Sequence, residues 1–587
     1  MPAIPATRPP VAAFDRHFFD GSERFTSIGG GEFGGKAHSL LGVRDLLAAS
    51  LEPRHLRHFD VCVPTLTVIA TDLFEKFMAA NRLWALVESG APDHRLATAF
   101  QAADLPVELV GDLWALVGQV RTPLAIRSSS LLEDALGQPF AGVYATKMIP
   151  NNQQDVETRF HRLVEAVKLV YASTFFESAR NYRRTAAPGA ADRMAVIIQA
   201  IVGRRHRDRF YPELSGVARS FSFYRSGRAR PEDGVVNLAL GLGKTIVDGG
   251  ITWSYSPAYP QATPPYGSIG ELMKQTQVSF WAVNMGRVPS YDPVAETEYL
   301  VRCGLEDAEE DETLRYLAST YDARSDRLSM GVGIRGPRAL TFSPLLSLEE
   351  FPLNDLLRSL LRVCAEALAA PVEIEFAATF PPGPGDGRVQ FGFLQVRPMA
   401  VSSAVVEIDL SAVPPGELLL ASERVMGNGV VSDVRDVVYV RPERFEARQT
   451  PAIAEELARV NRRLADAGRP YLLIGFGRWG SSDPWLGVPV EWSQINGARS
   501  IVEATLPAMN VDPSQGSHFF HNLSSFDVSY FTVPFGREPG IDWDGLARRP
   551  AEHETPLVRH VRLDEPLLIE VDGRRGVGAV RWGRPAR

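Results

Sequence analysis

Residues 371–399 constrain the fold more than any other stretch of this sequence. They contain two strand-like runs, PVEIEFAATF and VQFGFLQVRPM, joined by the breaker-rich PPGPGDGR, and this pattern predicts a β-hairpin. Antiparallel pairing about the middle of that loop places Glu375 opposite Gln395 and Glu373 opposite Arg397. Because side chains alternate along a strand, all four are expected on one face of the hairpin.

That face carries two carboxylates, an amide and a guanidinium, which suits a metal ion bound to phosphates. Mg²⁺ is usually held by one or two carboxylates together with phosphate oxygens, and arginine offers a planar fork of donors to the same anion. The alternative is a solvated sheet face with cross-strand ion pairs. The hairpin by itself leaves both interpretations open.

Length and composition indicate a large globular protein. The 587 residues predict about three to five structural units. With 45% hydrophobic and 22% charged residues the chain has an ordinary globular composition, and a formal net charge of −8 argues against a general nucleic-acid binder. Residues 1–24 begin with a Pro/Ala-rich stretch, and we expect them to form a flexible leader.

Cysteine usage and hydropathy bear on the compartment. Cys62, Cys303 and Cys364 are widely spaced and form no CxxC pair, which fits a reducing compartment and excludes a thiolate metal site of that type. No segment has about 18 uninterrupted apolar residues, so no membrane span is expected. We therefore predict a cytoplasmic protein without a membrane partner.

A glycine-rich loop precedes an amphipathic helix near the beginning of the chain. Residues 29–47 read GGGEFGGKAHSLLGVRDLL. Such a loop offers backbone N–H groups to an anion, and Lys36 adds a positive charge. It is not a P-loop, because Ala37 stands where a hydroxyl should reach Mg²⁺. A flexible loop without a ligand is the alternative interpretation.

A second phosphate-binding candidate lies in residues 123–149. Here an apolar strand ends in Arg127 and three serines, and a guanidinium beside several hydroxyls can donate to polyphosphate oxygens. The alternative is an arginine paired with Glu133 or Asp134 in a surface turn. β-type sequence resumes at residue 194, and this change predicts a second lobe that begins near residue 191.

The composition changes again in the last third of the chain. Residues 418–445 alternate like strands, residues 452–467 form an amphipathic helical pattern, and a stretch rich in glycine and tryptophan follows. His518 and His521 lie three apart and could bind a metal with a third ligand or accept a phosphoryl group. Partly buried structural histidines are the alternative.

Several separated motifs together resemble one family, over residues 25–399. They are, in chain order, Gly34-Gly35-Lys36-Ala37, Val63-Pro64, Arg127-Ser128-Ser129, Glu133-Asp134, Phe140-Ala141-Gly142, Gln199, Ser215-Gly216-Val217, Gly241-Leu242-Gly243 and Gln395-Val396-Arg397-Pro398. This set is similar to the nucleotide-binding portion of phosphoenolpyruvate synthase and pyruvate phosphate dikinase.

The resemblance implies an α+β fold with two ATP-grasp lobes that clamp ATP and Mg²⁺. The expected organisation is a leader over 1–24, a first lobe over 25–190, a second lobe over 191–402 and a C-terminal α/β domain of unknown role over 403–587. The expected cofactors are ATP and Mg²⁺, and no nucleic-acid partner is expected. Whether the chain forms a homodimer is left open.

The resemblance also implies roles for individual residues. The predicted catalytic residues, which contact the phosphates, are Lys36, Arg127, Gln395 and Arg397. The predicted Mg²⁺ ligand is Glu375, with help from Glu373. The predicted nucleotide-binding residues are Gln199, Ala200, Ile201 and Val202, as the hinge that meets the adenine, and Thr146.

Three departures from the family pattern bear on function. Lys244 stands where the family usually has glutamate, and Ala145 replaces the glutamate that usually precedes the matched Thr146. The region after residue 402 contains neither a Thr-Ser-His phosphoacceptor motif nor room for a pyruvate-binding barrel. We therefore expect an ATP-dependent phosphotransferase with an unidentified acceptor. An ATP-grasp ligase that forms an acyl-phosphate and a non-catalytic ATP sensor are the alternatives.

Overall fold

A computed structural model describes most of the chain. The described residues are 11–583 apart from 18–23, 134–142, 187–191, 223–227, 262–268, 275, 287–288, 349, 383–386, 400, 402–405, 407, 411–412, 482, 508, 510–522, 524–525 and 527. Contacts divide the chain into two units. The first comprises residues 1–219, 236–245 and 276–398, and the second comprises 220–235, 246–275 and 399–587.

The strands up to residue 398 are β1 (Ala12–Ala13), β2 (Phe25–Ile28), β3 (Phe59–Cys62), β4 (Leu66–Ile69), β5 (Leu124–Ser130), β6 (Thr146–Ile149), β7 (Met194–Ala200), β8 (Arg204–His206), β9 (Arg209–Tyr211), β10 (Leu214–Arg219), β11 (Val235–Ala239), β12 (Trp253–Tyr255), β13 (Ser279–Asn284), β14 (Leu300–Gly304), β15 (Ala318–Asp322), β16 (Arg327–Met330), β17 (Arg338–Leu340), β18 (Val372–Thr379) and β19 (Val389–Pro398).

The helices of the same part are α1 (Gly34–Ser50), α2 (Pro53–Leu56), α3 (Thr71–Ala80), α4 (Leu83–Glu88), α5 (Asp93–Ala102), α6 (Val107–Gln119), α7 (Val156–Ser173), α8 (Glu177–Ala186), α9 (Lys244–Val247), α10 (Ile269–Lys274), α11 (Leu305–Glu310), α12 (Ser343–Leu348) and α13 (Leu353–Leu368).

One sheet of the first unit has the strand order β1-β2-β4-β7-β5-β6. Its central strand β7 has the sequence MAVIIQA and is buried along almost its whole length, as expected for a run of β-branched residues covered on both faces. β7 pairs antiparallel with β4 and with β5, which aligns Gln199 with Leu66 and with Ala125. The lobe boundary predicted near residue 191 falls just before this strand, and the division into lobes stays a prediction.

A second sheet of this unit runs in the order β11-β10-β18-β19-β3. β18 and β19 form the predicted hairpin, with Glu373 opposite Arg397 and Glu375 opposite Gln395. The predicted register is confirmed, while Gly385 at the middle of the predicted loop lies outside the described residues. Two smaller sheets, β14-β13-β9-β8 and β16-β15-β17, complete the unit.

The second unit is built around an α/β sheet. Besides β12 and α10, which lie within residues 246–275, the described part of this unit has the following elements after residue 398. The strands are β20 (Leu418–Ser422), β21 (Val425–Met426), β22 (Gly429–Val431), β23 (Asp436–Val440), β24 (Tyr471–Phe476), β25 (Arg478–Trp479), β26 (Gly487–Val488), β27 (Ala498–Ala504), β28 (Ser529–Val533), β29 (Ala551–Glu554), β30 (Val558–Arg562), β31 (Leu568–Asp572) and β32 (Val577–Arg581). The helices are α14 (Thr450–Asp466) and α15 (Trp543–Ala547). Single-turn 3₁₀ helices cover Pro231–Asp233, Pro415–Glu417, Pro442–Arg444, Ala447–Gln449 and Trp492–Gln494.

The main sheet of this unit has the order β21-β28-β27-β24-β23-β30-β29, in which β23, β24, β27 and β28 are parallel. Helix α14 connects β23 to β24 and buries Ile453, Leu457, Val460 and Leu464, which are spaced by three or four residues on one helix face. These elements confirm the predicted C-terminal α/β domain. His518 and His521 lie outside the described residues.

A buried ion network stabilises one end of this sheet. Asp436 accepts from His560 Nε2 at 2.8 Å and from the Arg469 guanidinium, which also donates to both oxygens of Glu552. Burial would raise the pKa of Asp436, but the hydrogen bonds and positive charges of His560 and Arg469 lower it below its ordinary value of 3.8. The Asp436 carboxylate therefore stabilises the folded state at pH values above 3.8. This stabilisation is lost as the pH falls below 3.8 and the carboxylate becomes protonated.

We expect Asp436→Asn to reduce the acid sensitivity of the second unit. In the wild type, the free energy of unfolding should fall between about pH 5 and about pH 3 partly because Asp436 takes up a proton on unfolding. The variant should be less stable at the higher pH and should lose less stability on acidification. Urea unfolding at both pH values measures the difference. An unchanged slope would contradict the assigned pKa direction.

Within the described residues, no helix combines the length and the apolar character needed to cross a lipid bilayer.

Candidate functional site

The glycine-rich loop is fastened to the end of β5. Gly34 has a φ of +75°, and a Cβ there would lie 1.8 Å from the carbonyl oxygen of Ser129. The Ser129 hydroxyl donates to Phe33 O at 2.8 Å and accepts from Ala37 N at 3.1 Å. These contacts hold the first turn of α1 beside the serines of β5, as expected for a loop that presents backbone N–H groups to an anion.

Alanine at Gly34 is expected to destabilise this loop by about 2 kcal/mol or more, because it adds left-handed backbone strain to a steric clash. Gly30→Ala is the matched control, since a Cβ at Gly30 has nothing within 4 Å. Thermal unfolding of both variants measures the difference. Equal melting temperatures for the two variants would contradict the close approach of Gly34 to Ser129.

Lys36 is held by a buried carboxylate. Its Nζ donates to Glu133 Oε1 at 2.8 Å and to Ser128 Oγ at 3.2 Å. Glu133 is 2% exposed and also accepts from Ser128 Oγ and from the backbone N–H of Ser130. Glu133 therefore forms its ion pair with Lys36, whereas Asp134 and residues 140–142 lie outside the described residues.

Arg127 links the two large sheets of the first unit. Its Nη1 donates to Gln199 Oε1 at 3.1 Å and to the Leu394 carbonyl at 2.9 Å, and its Nη2 donates to Gln395 Oε1 at 2.8 Å. The nearest Glu375 oxygen is 3.9 Å from Nη2. The Arg127 guanidinium thus contacts both the first residue of the predicted hinge and the predicted phosphate-binding hairpin.

A β-bulge makes this arrangement possible. The pairing of β18 with β19 shifts after Glu375, so that Phe376 lies opposite Phe393 and Leu394 has no partner residue. A bulge disrupts the regular ladder and redirects backbone groups, and here the Leu394 carbonyl accepts from Arg127 instead.

Glu373 is engaged by two arginines. Its Oε1 accepts from Arg397 Nε at 2.8 Å and from Arg397 Nη2, and its Oε2 accepts from Arg219 Nε at 2.5 Å. Arg219 reaches it from β10, where it is aligned with Glu373 across the sheet. Because Glu373 is 2% exposed and Arg397 1% exposed, these are buried charges that compensate one another.

Glu375 differs from Glu373 in its surroundings. Its side chain is 14% exposed, and its oxygens lie 3.5 Å from Arg397 Nη2 and 3.9 Å from Arg127 Nη2. A partly exposed carboxylate beside guanidinium groups that can bind phosphate fits the usual Mg²⁺ arrangement of one or two carboxylates with phosphate oxygens. On this chemistry Glu375 fits a metal ion, whereas both oxygens of Glu373 already accept from guanidinium groups.

The predicted hinge begins with the last two residues of β7, Gln199 and Ala200, and continues beyond the strand. Gln199 is 2% exposed, and its Nε2 is a buried donor that has no hydrogen-bond partner within the described part of the chain. The backbone N–H of Ala200 donates to Thr65 O and that of Ile201 donates to Pro123 O, so both already have acceptors within the protein. Val202 continues the segment beyond the strand.

An apolar cluster lies next to this hinge. Ile201 and Met148 pack against it, together with Trp281 and Leu300, and its buried members are Phe210, Leu242, Val283 and Met285. Leu242 is the central residue of the Gly-Leu-Gly motif. An apolar wall beside a hinge and a buried amide donor suits the flat, partly polar ring of a nucleobase.

The remaining predicted positions lie near Arg127 or at element ends. Thr146 is aligned with Arg127 across β5 and β6, and its backbone N–H donates to Glu296 Oε1 at 3.1 Å. Ala145 is buried, with its N–H bonded to Ser173 Oγ at 3.1 Å. Lys244 is the first residue of the short helix α9.

Two contacts of the candidate site were not predicted from the sequence. Arg219 ends the otherwise apolar strand LSGVAR, and a charge at the end of such a strand was the available signal. Glu133 was noted only as a motif residue and as an alternative partner for Arg127. Its position three residues after Ser130 allows the local bond to the Ser130 backbone, but its bond to Lys36 depends on tertiary structure.

Comparison with known proteins identifies a family and a relative of this chain. Prodigiosin synthesizing transferase PigC of Serratia marcescens is 29% identical over 223 residues, which is 37% of this chain and 21% of that protein. The chain thus matches about a fifth of the length of this relative. The family described as pyruvate phosphate dikinase, AMP/ATP-binding domain, matches residues 31–411, which is more than half of the chain. The resemblance inferred from the motifs is confirmed, and the chain belongs to the pyruvate phosphate dikinase AMP/ATP-binding domain family.

Proposed function

We propose that this protein binds ATP with Mg²⁺ in its first unit and transfers a phosphoryl group to an acceptor. The convergence of Arg127, Gln199, Gln395 and Glu375 from four strands carries this proposal. A cation surrounded by neutral amide acceptors can exchange them for phosphate oxygens without leaving a buried charge unpaired. Membership of an AMP/ATP-binding domain family supports the choice of nucleotide.

The proposed catalytic contribution of these residues is electrostatic. Phosphoryl transfer depends mainly on positioning the phosphates and stabilising the charge that develops on them. Arg127 would donate to the transferred group through its planar fork, and Lys36 would add a second positive charge at the first turn of α1. Gln395, which now accepts from Arg127 Nη2, would reach the phosphates from the neighbouring strand once Arg127 donates to them.

Glu133 and Glu373 would act as positioning residues. Glu133 holds the Lys36 ammonium against Ser128, and Glu373 holds Arg397 in the sheet that carries Glu375. Glu375 would be the protein ligand of Mg²⁺. When bound, Mg²⁺ would neutralise phosphate charge and orient the polyphosphate. The hinge residues Gln199–Val202 and the adjacent apolar cluster would hold the adenine.

Labelled ATP tests the proposal. The full-length protein is incubated with [γ-³²P]ATP or [β-³²P]ATP and Mg²⁺, with candidate acceptors added singly, and the nucleotide products and labelled species are separated. Label recovered on an acceptor, together with formation of ADP or of AMP, identifies the transferred phosphoryl group and supports the proposal. If no acceptor gives ATP turnover or a labelled product, the proposed phosphoryl transfer is contradicted. If ATP nevertheless raises the melting temperature of the protein, only the sensor function is left.

An ATP-grasp ligase is the second candidate, and one observation favours it. The relative from Serratia marcescens is named as a synthesizing transferase, and synthesis of a product can also be driven by an ATP-dependent ligase. A ligase would activate a carboxylic acid as an acyl-phosphate before an amine displaces the phosphate. ADP release that requires both an acid and an amine would favour the ligase over a phosphotransferase.

A further inference from the structure

A cavity of about 660 Å³ lies in the first unit, beside the C-terminal half of α1. Its apolar wall includes Leu47 and Leu51 from the end of α1 and Leu56 from α2. Leu56 is 40% exposed, which places an apolar side chain at the cavity surface. A volume of this size with mainly apolar walls is typical of sites for small organic ligands.

The polar groups of the cavity are two arginines and one thiol. Arg24, Arg44 and Cys62 line it together with the apolar side chains. The Arg44 guanidinium lies over the Phe25 ring, with Cζ 4.9 Å from the ring centroid. Among the described residues, Arg44 forms a side-chain hydrogen bond only through Nε, which donates to Asp45 Oδ1 at 2.7 Å. The terminal nitrogens of Arg44 are therefore available as donors.

The charge balance favours a monoanion. Arg24 and Arg44 contribute two positive charges, while Asp45 pairs with Arg44 and Asp60 acts electrostatically on Cys62. Two cations near two carboxylates leave little net positive charge for a phosphate dianion. A carboxylate carries one charge and matches the geometry of a guanidinium fork.

The cavity is separate from the proposed ATP site. Lys36 lies in the first turn of α1, and Arg44 follows eight residues later, which corresponds to about 12 Å along the helix axis. None of the residues that surround Arg127 lines the cavity. An occupant here would not displace the phosphates.

We propose that this cavity binds a small organic carboxylate with an apolar body. The carboxylate would accept hydrogen bonds from Arg44 and Arg24, and the apolar body would pack on Leu47, Leu51 and Leu56. The site does not depend on the proposed phosphotransferase function, because it uses none of the same residues.

Cys62 provides a reporter of occupancy. It is partly exposed, whereas Cys303 and Cys364 are buried. Burial raises the pKa of the Cys62 thiol, and the nearby Arg24 lowers it only in part. The thiol is thus protonated near neutral pH and should react slowly and measurably with an alkylating reagent.

The test measures alkylation of Cys62 by N-ethylmaleimide in the folded full-length protein, by mass spectrometry of the Cys62 peptide. Octanoate below its micellar concentration should slow the modification at least tenfold. Octanol lacks the charge, acetate lacks the apolar body, and inorganic phosphate supplies a different anion, so none of the three should protect. ATP with Mg²⁺ should also leave the rate unchanged.

Two variants test the role of the guanidinium. Arg44→Gln should abolish protection by octanoate, while Arg54→Gln, which changes a 60% exposed arginine outside the cavity lining, should retain it. Arg24→Gln serves as a second variant if Arg44→Gln lowers the melting temperature. The proposal would be overturned if octanol or phosphate protected Cys62 from alkylation as strongly as octanoate does. It would also be overturned if octanoate still protected Cys62 in both the Arg44→Gln and the Arg24→Gln variants.

Discussion

Replacing Glu375 by glutamine is expected to lower Mg²⁺-dependent ATP turnover by about two orders of magnitude, with little change in the free energy of unfolding. Loss of one contact that stabilises charge in a transition state costs on the order of 3 kcal/mol. Glutamine preserves the shape of the side chain but removes the charge that would hold Mg²⁺. The stability should hardly change, because the Glu375 side chain is 14% exposed and its ion pairs are 3.5 and 3.9 Å long.

The Mg²⁺ dependence of turnover distinguishes a metal ligand from a residue that acts in another way. In Glu375→Gln, the Mg²⁺ concentration that gives half-maximal turnover should rise together with the loss of rate. Glu366→Gln, which alters an exposed ion pair with Arg362 on α13, is the matched control and should behave as wild type. Wild-type turnover in Glu375→Gln at the wild-type Mg²⁺ dependence would contradict the proposed metal role.

The sequence was sufficient to predict the hairpin and its register. A loop of Pro, Gly and Asp between two alternating runs fixes which residues lie opposite one another, and alternation then fixes which side chains share a face. Pairing of Glu373 with Arg397 and of Glu375 with Gln395 follows from these local rules alone. Local patterns also predicted the α/β character of the last third of the chain.

The differing environments of Glu373 and Glu375 could not be predicted in the same way. Both lie on one face of β18, but Arg219 approaches Glu373 from a strand 154 residues earlier in the chain. The bulge after Glu375 also shifts the later part of the ladder, and Gly392, the glycine of VQFGFLQVRPM, lies opposite Ala377 and not at the bulge itself. Such contacts depend on tertiary structure. The alternation of side chains along a strand predicts which residues share a face, but it does not predict which distant residues approach them.

The prediction for Glu373 is therefore the opposite of that for Glu375. Glu373→Gln should destabilise the first unit by about 3–5 kcal/mol, because it removes the buried carboxylate that compensates the charges of Arg397 and Arg219. Arg397 side-chain exposure is 1%, and Arg219 Nη2 is already buried without a hydrogen-bond partner among the described residues. Urea unfolding of this variant and of Glu375→Gln measures the contrast.

A double variant separates loss of charge compensation from loss of packing. Arg219→Met removes one of the two guanidinium groups that Glu373 neutralises, so Glu373→Gln should cost less in that background than in the wild type. Additive losses would mean that the Arg219–Glu373 pair contributes no net coupling. We expect a coupling energy of about 1 kcal/mol or more between Arg219 and Glu373. We also expect the ATP turnover of the Glu373 variant to fall mainly because less of the protein is folded. Together these results would identify Glu373 as the residue that positions the arginines and leave Glu375 as the carboxylate for the metal.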